Sequence, residues 1–196
     1  HIEYLQYAPN LPGIPAIQVV PGAYRNGANP AAPFLPLPLP TMSGSPAPID
    51  LSSPIPLAPA SQLHQGDPLF IRLTDLDQNL DRTRVETVFV TVTNPANGDV
   101  EVLLLTETGP DTGVFAAYLP TTRSAASGYN GSMSVAQGNV LTTRYVDIAD
   151  GTDSSATAIM VDPYGIFFDT VSGLPVNGAT ITMIDTATGL PAAIWG

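Results

Sequence analysis

The residues of this chain that could do chemistry are nearly all carboxylates. An Asp-Thr-Gly triplet, Asp111 to Gly113, stands in the stretch LTETGPDTGVF, and such a triplet carries the catalytic carboxylate of aspartic proteases. That chemistry needs two carboxylates sharing one proton, hence two triplets in a chain or a symmetric dimer. This sequence has one triplet, and Asp111 follows Gly109 and Pro110, which open a turn. A turn residue or a cation ligand is therefore the better interpretation of Asp111.

Other routes to catalysis have few residues to work with. The sequence contains no cysteine, no lysine and two histidines, at positions 1 and 64. It has no Gly-rich phosphate loop and no His cluster suited to zinc. The absence of lysine also excludes Lys–Asn isopeptide cross-links. We predict a protein that is not an enzyme.

The charge balance restricts the partners. Seventeen Asp and Glu against six Arg give a formal net charge of -11. Nucleic acid and anionic lipid need a basic surface, so neither is expected, and divalent cations or other proteins match better. No apolar run reaches the roughly 18 residues of a membrane helix. With no signal peptide visible and with His1 first, we expect a soluble, processed piece of a longer extracellular protein whose leader has been removed.

The N-terminal third is rich in proline, with fifteen of twenty-one prolines in the first 68 residues. Each proline removes a backbone donor and restrains the residue before it, so helices and central strands are not expected there. We expect residues 30–59 to be extended and semi-rigid, as a spacer, a coat along the domain, or a ligand for an aromatic groove. Four apolar side chains favour a spacer or a coat over a ligand, because they should be buried: Phe34, Leu35, Leu37 and Leu39.

The remainder predicts an all-β fold, an immunoglobulin-like antiparallel β-sandwich. Ahead of the prolines, residues 2–7 and 16–20 alternate like strands. Asn97-Gly98 is a strong hairpin signal, because both residues tolerate positive φ. Seven β-branched runs follow residue 67, at 69–73, 85–93, 100–106, 114–119, 132–135, 140–147 and 156–161.

The pattern changes after Asp162-Pro163. The phrase DTVSGLP at 169–175 returns as DTATGLP at 185–191, each time closing a strand with a Gly-containing turn. Two strands are half a small module, because a lone hairpin is marginally stable. We predict three parts: an arm at 1–61, the sandwich at 62–162, and a C-terminal β-hairpin or partial β module at 163–196.

Loop positions follow from alternation. Successive connections of an antiparallel sandwich lie at alternate ends, so the first and third connections should share an end with the exit from the last run. Seven side chains should converge there, near the junction with the next module: Asp75, Asp77, Asn79, Asp81, Glu107, Asp111 and Asp162.

Alternating oxygen ligands in one loop, joined by carboxylates from another, suit Ca²⁺, which takes about 6 to 8 oxygens. The spacing begins like an EF-hand loop but lacks its Gly and distal Glu and is flanked by strands, so we reject an EF-hand. The competing interpretation is a solvated acidic rim with ion pairs from Arg72, Arg82 and Arg84.

A second acidic loop, residues 147–153, should lie at the opposite end by the same count. Asp67 and Asp99 would be its neighbours. It is either a second cation site or a Gly-containing polar turn.

Six phrases occur in order along the chain: GDPLFIRLTDLDQN at 66–79, VFVTVT at 88–93, GDVE at 98–101, LTETG at 105–109, DTGVF at 111–115 and RYVD at 144–147. Together they resemble the immunoglobulin-like repeat of very large secreted bacterial surface proteins. The segment 173–182, GLPVNGATIT, resembles the opening of a carboxypeptidase-regulatory-like (transthyretin-like) β module. The family implies an extracellular, modular and non-enzymatic role.

Two functional hypotheses follow. The first is a structural or adhesion module of a large surface protein, made rigid by Ca²⁺ at a domain junction and contacting neighbouring β domains of its own chain. The second is a subunit of an extracellular filament or sheath, in which the N-terminal strand is donated to an adjacent subunit's open edge.

Overall fold

The computed structural model describes residues 1–147, 154–161, 182, 184–186 and 188–191. In this part of the chain the fold is all-β, as predicted, and it contains no helix long and apolar enough to cross a membrane. The described strands are β1 (Ile2–Tyr7), β2 (Ala16–Ile17), β3 (Ala23–Arg25), β4 (Phe34–Pro36), β5 (Ile55–Pro59), β6 (Gln62–Leu63), β7 (Leu69–Thr74), β8 (Thr87–Asn94), β9 (Asp99–Glu107), β10 (Val114–Leu119), β11 (Thr121–Thr122), β12 (Met133–Ser134), β13 (Val140–Val146) and β14 (Ser154–Val161).

The seven predicted runs correspond to β7–β10 and β12–β14, with ends displaced by at most two residues. In β8 the side chains of Val88, Val90 and Val92 are buried while their neighbours are not, which is the alternation of a strand with one buried side. The hairpin at Asn97-Gly98 joins β8 to β9, with Gly98 at φ 77°. Local alternation and turn chemistry therefore predicted these strands correctly.

The large sheet curls back on itself into an open sandwich. Its strand order is β2-β5-β1-β7-β10-β9-β8-β13-β14-β6, with β3 pairing the side of β9 and β4 pairing β3. β5 and β6 are separated by only two residues, yet they lie near opposite ends of this order. β1 also packs on β14. We call β2, β5, β1, β7 and β10 the first layer, and β9, β8, β13, β14 and β6 the second.

Apolar side chains from both layers form one core. Among the largest fully buried side chains are Phe70 and Tyr118 of the first layer and Leu103 of the second. One polar bond crosses between the layers, since the hydroxyl of Tyr4 donates to Thr143 Oγ1 at 2.8 Å. The layers are thus joined by apolar burial and by a buried hydrogen bond.

The proline-rich arm packs on its own sandwich. β1 pairs in antiparallel fashion with both β5 and β7, which gives the N-terminal strand an internal position. β5 pairs with β2 as well as β1, so the prediction that prolines exclude internal strands from this segment is wrong. The ladder survives because Pro56 contributes its carbonyl to Ala8 N and Leu57 supplies the N–H to Pro15 O. Of the four apolar side chains expected to be buried, Leu37 is buried and Phe34, Leu35 and Leu39 are exposed.

The direction of β13 differs from the prediction. We call the end where β7 stops at Thr74 the upper end, and the end where β8 stops at Asn94 the lower end. β12 pairs in parallel with β11, which directly continues β10, so neither strand crosses the sandwich. β13 therefore starts at the lower end and runs antiparallel to β8 towards the upper end. The count that placed residue 147 at the lower end is wrong, because it treated residues 132–135 as a crossing strand.

β14 returns to the lower end. Met160 pairs with Val140, and Val161 N donates to Asn139 O at 2.8 Å. The last described residue of the sandwich, Val161, thus lies opposite the end predicted for the exit. Asp162 lies outside the described residues.

The chain divides into two compact units, residues 1–162 and 163–196. In the second unit, the described residues include a turn in which Gly189 N donates to Asp185 O, with an isolated bridge between Ile184 and Pro191. This is the second of the two repeated phrases. The first, at 169–175, lies outside the described residues.

Candidate metal centre

The Asp-Thr-Gly triplet is a turn built around the carboxylate of Glu107. Glu107 Oε1 accepts the backbone N–H of Thr112 and of Gly113, both at 2.8 Å, and Oε2 accepts Glu86 N at 3.3 Å. Asp111 and Gly113 have φ of 63° and 59°, which turns successive N–H groups inward as an anion-binding nest. Burial raises the pKa of Glu107, but the backbone donors outweigh it and hold that pKa below its usual range. Glu107 therefore shapes the connection between β9 and β10.

Gly113 packs this turn closely against the connection between β7 and β8. Its carbonyl accepts Asp75 N at 2.8 Å. A Cβ at this position would stand 2.9 Å from Leu76 Cδ2 and 3.1 Å from the carbonyl oxygen of Asp75. The close approach and the positive φ together require glycine, and they fix the backbone at Asp75.

Three carboxylates meet at the upper end. Asp75 directly follows β7, Asp77 lies two residues further, and Asp147 directly follows β13. One carboxylate oxygen of each lies within 4.8 Å of those of the others. Asp147 is buried and accepts Gln78 Nε2 at 2.8 Å, whereas Asp77 is exposed. We call Asp75, Asp77 and Asp147 the acidic trio.

Two buried oxygens beside the trio have no hydrogen-bond partner, Asp75 Oδ2 and the Tyr145 hydroxyl. The pKa of Tyr145 is raised first by burial, then by a hydrogen-bonding interaction with Asp75 and by the negative charge of Asp75, and less by the charges of Asp147 and Asp77. The hydroxyl therefore lies next to the trio, although it makes no well-formed hydrogen bond to Asp75. Buried oxygens without partners are uncommon, because each forfeits its hydration.

The other predicted ligands divide into different roles. Asp81 accepts the backbone and hydroxyl of Thr83 and lies 3.5 Å from Arg84 Nε. Asp111 accepts Asn79 Nδ2 at 2.9 Å and lies 3.3 Å from Arg82 Nε. The acidic-rim interpretation therefore describes these two residues.

Asn79 and Glu107 complete the set of predicted ligands within the described residues. Asn79 Oδ1 is buried without a hydrogen-bond partner, in the same loop as Asp75 and Asp77. Glu107 belongs to the neighbouring turn, as described above. Of the predicted ligands, the structure thus brings Asp75 and Asp77 together.

Asp147 lies at the upper end, so the prediction that placed it at the lower end is wrong. At the lower end, Asp99 instead accepts Val100 N and Ser134 N on its two oxygens, at 3.0 and 2.7 Å. Asp67 Oδ1 accepts Ser43 N. No local signal pairs Asp147 with Asp75, because their proximity depends on the direction of β13.

The trio has the chemistry of a cation site. Two ionised carboxylates at this separation repel by roughly 3 kcal/mol at an effective dielectric constant of about 20. A bound divalent cation would replace that repulsion with attraction and would give the unpartnered Asp75 oxygen an interaction partner. Hard cations such as Ca²⁺ and Mg²⁺ take oxygen ligands of this kind. The acidic trio can therefore hold a metal ion.

Comparison with known proteins adds no further constraint. No family model matches the chain, and no curated protein is significantly similar to it. The resemblance to surface-protein repeats stays a prediction.

Proposed function

We propose that this chain is a non-enzymatic structural or adhesion module of an extracellular bacterial surface protein, and that Ca²⁺ makes it rigid. The observation that carries the proposal is the convergence of three carboxylates and an unpartnered buried carboxylate oxygen at one end of an all-β sandwich. The net charge of -11 favours cations over nucleic acid or anionic lipid as ligands. Calcium is the preferred ion because it is abundant outside cells and tolerates irregular oxygen coordination.

The mechanism is mechanical. Asp75 and Asp77 belong to the connection that follows β7 in the first layer, whereas Asp147 follows β13 in the second. One ion held by all three would join the layers at the upper end, where Gly113 already fixes the backbone of Asp75. Because Val161 lies at the lower end, we place the stiffening within the sandwich and not at its exit.

The triplet that suggested proteolysis supports this interpretation. Asp111 is an exposed turn residue that pairs with Asn79 and Arg82. To share a proton in catalysis, Asp111 would have to be buried beside a second aspartate. A structural role for the triplet accounts for Asp111, Thr112 and Gly113 together.

Strand donation to a neighbouring subunit is the competing proposal. In this chain β1 already pairs on both sides, with β5 and β7. Donation would require β1 to leave those partners and to pair identically in a second copy. Concentration-dependent polymers that lose their stability when residues 1–8 are deleted would favour it.

The test compares Asp147→Asn with Asp81→Asn, in about 2 mM Ca²⁺ and in excess chelator. For an extracellular-type affinity of about 10⁻⁴ to 10⁻³ M, that concentration stabilises the folded state by about 0.6 to 1.8 kcal/mol. This corresponds to a rise in melting temperature of about 1 to 7 °C for a chain of this size. Calorimetry should show the rise in wild type and Asp81→Asn, and its loss in Asp147→Asn.

The control variant, Asp81→Asn, makes the same substitution at a carboxylate outside the acidic trio. Asp81 is a carboxylate of the same loop that is held by Thr83 and Arg84. Asparagine at 147 can still accept the bond from Gln78, so the variant should fold, and in chelator it should be at least as stable as wild type. A wild-type melting temperature that is indifferent to calcium would contradict the proposed function.

A further inference from the structure

Tyr145 lies next to the acidic trio with an unused hydroxyl group. Its side chain is 4% exposed, it belongs to β13 and it precedes Asp147 by two residues. The hydroxyl is buried without a hydrogen-bond partner, and it interacts electrostatically with all three trio carboxylates. A donor in this place points to a function connected with the trio.

The other buried tyrosines in the described part of the chain show what is unusual here. The hydroxyl of Tyr4 donates to Thr143, and the hydroxyl of Tyr118 accepts Gly22 N at 3.3 Å. Phenylalanine would fill nearly the same volume at position 145 without leaving a polar atom unpaired. The Tyr145 hydroxyl therefore contributes nothing to the packing that phenylalanine would not supply.

We propose that Tyr145 is a positioning residue for a divalent cation, holding the carboxylate of Asp75 through a hydrogen bond from its hydroxyl when the trio is occupied. This deepens, and rests on, the proposed function. Asp75 has one oxygen free of partners and a backbone fixed by Gly113. With the backbone fixed, the orientation of the Asp75 side chain is still free, and a hydrogen bond from the Tyr145 hydroxyl would fix it.

Carboxylate ligands commonly depend on such second contacts, whose removal weakens metal binding by about 10- to 100-fold. The hydroxyl donates from the second layer to a ligand of the first layer. Tyr145 and Asp147 therefore act from the same strand, one through Asp75 and one directly. An ion bound by Asp75 and Asp147 would therefore be held by both layers.

The experiment measures ion binding by wild type, Tyr145→Phe and Tyr118→Phe. Calcium affinity is measured by titration calorimetry and stability in chelator by urea denaturation. Terbium, a hard trivalent substitute for calcium, is used as a spectroscopic probe, because a nearby tyrosine transfers excitation energy to it. All terbium measurements are made in a Trp195→Phe background, so that the single tryptophan cannot contribute.

The expected result separates positioning from packing. Tyr145→Phe should weaken calcium binding by about 10- to 100-fold and should abolish sensitised terbium emission at saturation, while its stability in chelator is unchanged or higher. Tyr118→Phe should lose stability, because Gly22 N is left unpaired, and should bind calcium with wild-type affinity. Calcium added in excess should remove the terbium emission of wild type.

Two outcomes overturn the inference, and they are distinguishable. If wild type binds calcium and Tyr145→Phe binds it within twofold of wild type, positioning by Tyr145 is wrong while the proposed function stands. If wild type binds neither calcium nor terbium, both are wrong.

Discussion

Replacing Glu101 with glutamine should remove a defined part of the pH dependence of folding. Glu101 lies in β9 with its side chain fully buried, and its two oxygens accept the backbone N–H groups of Asn130 and Gly131, both at 2.9 Å. Burial raises the pKa of Glu101 from 4.5 to about 7, the two hydrogen bonds oppose the rise, and the negative charge of Asp99 adds to it.

The sign follows from proton binding. Between pH 4.5 and about 7 the folded chain retains a proton on Glu101 that the unfolded chain has lost. Stability from this group is therefore fully present below pH 4.5 and is lost as the pH rises to about 7. At 1.36 kcal/mol for each unit of pKa, the loss amounts to about 3 kcal/mol.

The assay is urea denaturation of wild type and Glu101→Gln at several values between pH 4 and 8, in chelator so that cation binding at the acidic trio does not contribute. At the acidic end, glutamine should cost about 1 to 3 kcal/mol, because its amide nitrogen faces one of the two backbone donors. This free-energy difference should then change by about 3 kcal/mol towards pH 8, so that Glu101→Gln becomes as stable as wild type or more stable.

Parallel stability curves for the two proteins across this range would refute the reasoning. Glu107→Gln provides a control of opposite sign. Because backbone donors lower the pKa of Glu107 against the effect of burial, its contribution is present above the unfolded pKa and is lost as the pH falls. The advantage of wild type over Glu107→Gln should therefore be nearly constant across most of this range and should fall only at and below its acidic end, where the advantage over Glu101→Gln is largest.

Two further predictions concern the backbone and the layer contact. Gly113→Ala should destabilise the protein by at least about 2 kcal/mol in chemical denaturation, because the new Cβ would clash with Leu76 at a positive φ, whereas Gly98→Ala meets no atom within 4 Å and should cost only the conformational strain. Tyr4→Phe should cost about 1 to 2 kcal/mol, and a double-mutant cycle with Thr143→Val should show non-additive losses; additive losses would mean that the 2.8 Å bond contributes nothing.

The sequence predicted elements well where the information is local. Alternating Val88, Val90 and Val92 identified β8, and Asn97-Gly98 identified its hairpin. The acidic loop after β7 was also visible, because ligands at alternate positions form a local pattern.

The direction in which each strand runs could not be predicted from the sequence. Met133–Ser134 reads like any short strand, and nothing local shows that it pairs in parallel with Thr121–Thr122 without crossing the sandwich. That single reversal moved Asp147 from one end of the molecule to the other. The internal position of β1 was similarly hidden, because strand partners far apart in sequence leave no periodic trace.

The internal position of β1 has a consequence for the order of folding. Arg72 of β7 pairs with Glu3 of β1 across 69 residues of chain, and β5 must also find β1. During synthesis the first strand therefore emerges long before its partner β7 exists, and it must wait with both edges unpaired. Such distant pairings slow folding and expose strands to other chains. Each proline of the segment between β1 and β7 lacks a backbone N–H, which reduces the number of non-native ladders that this segment can offer to the unpaired strand.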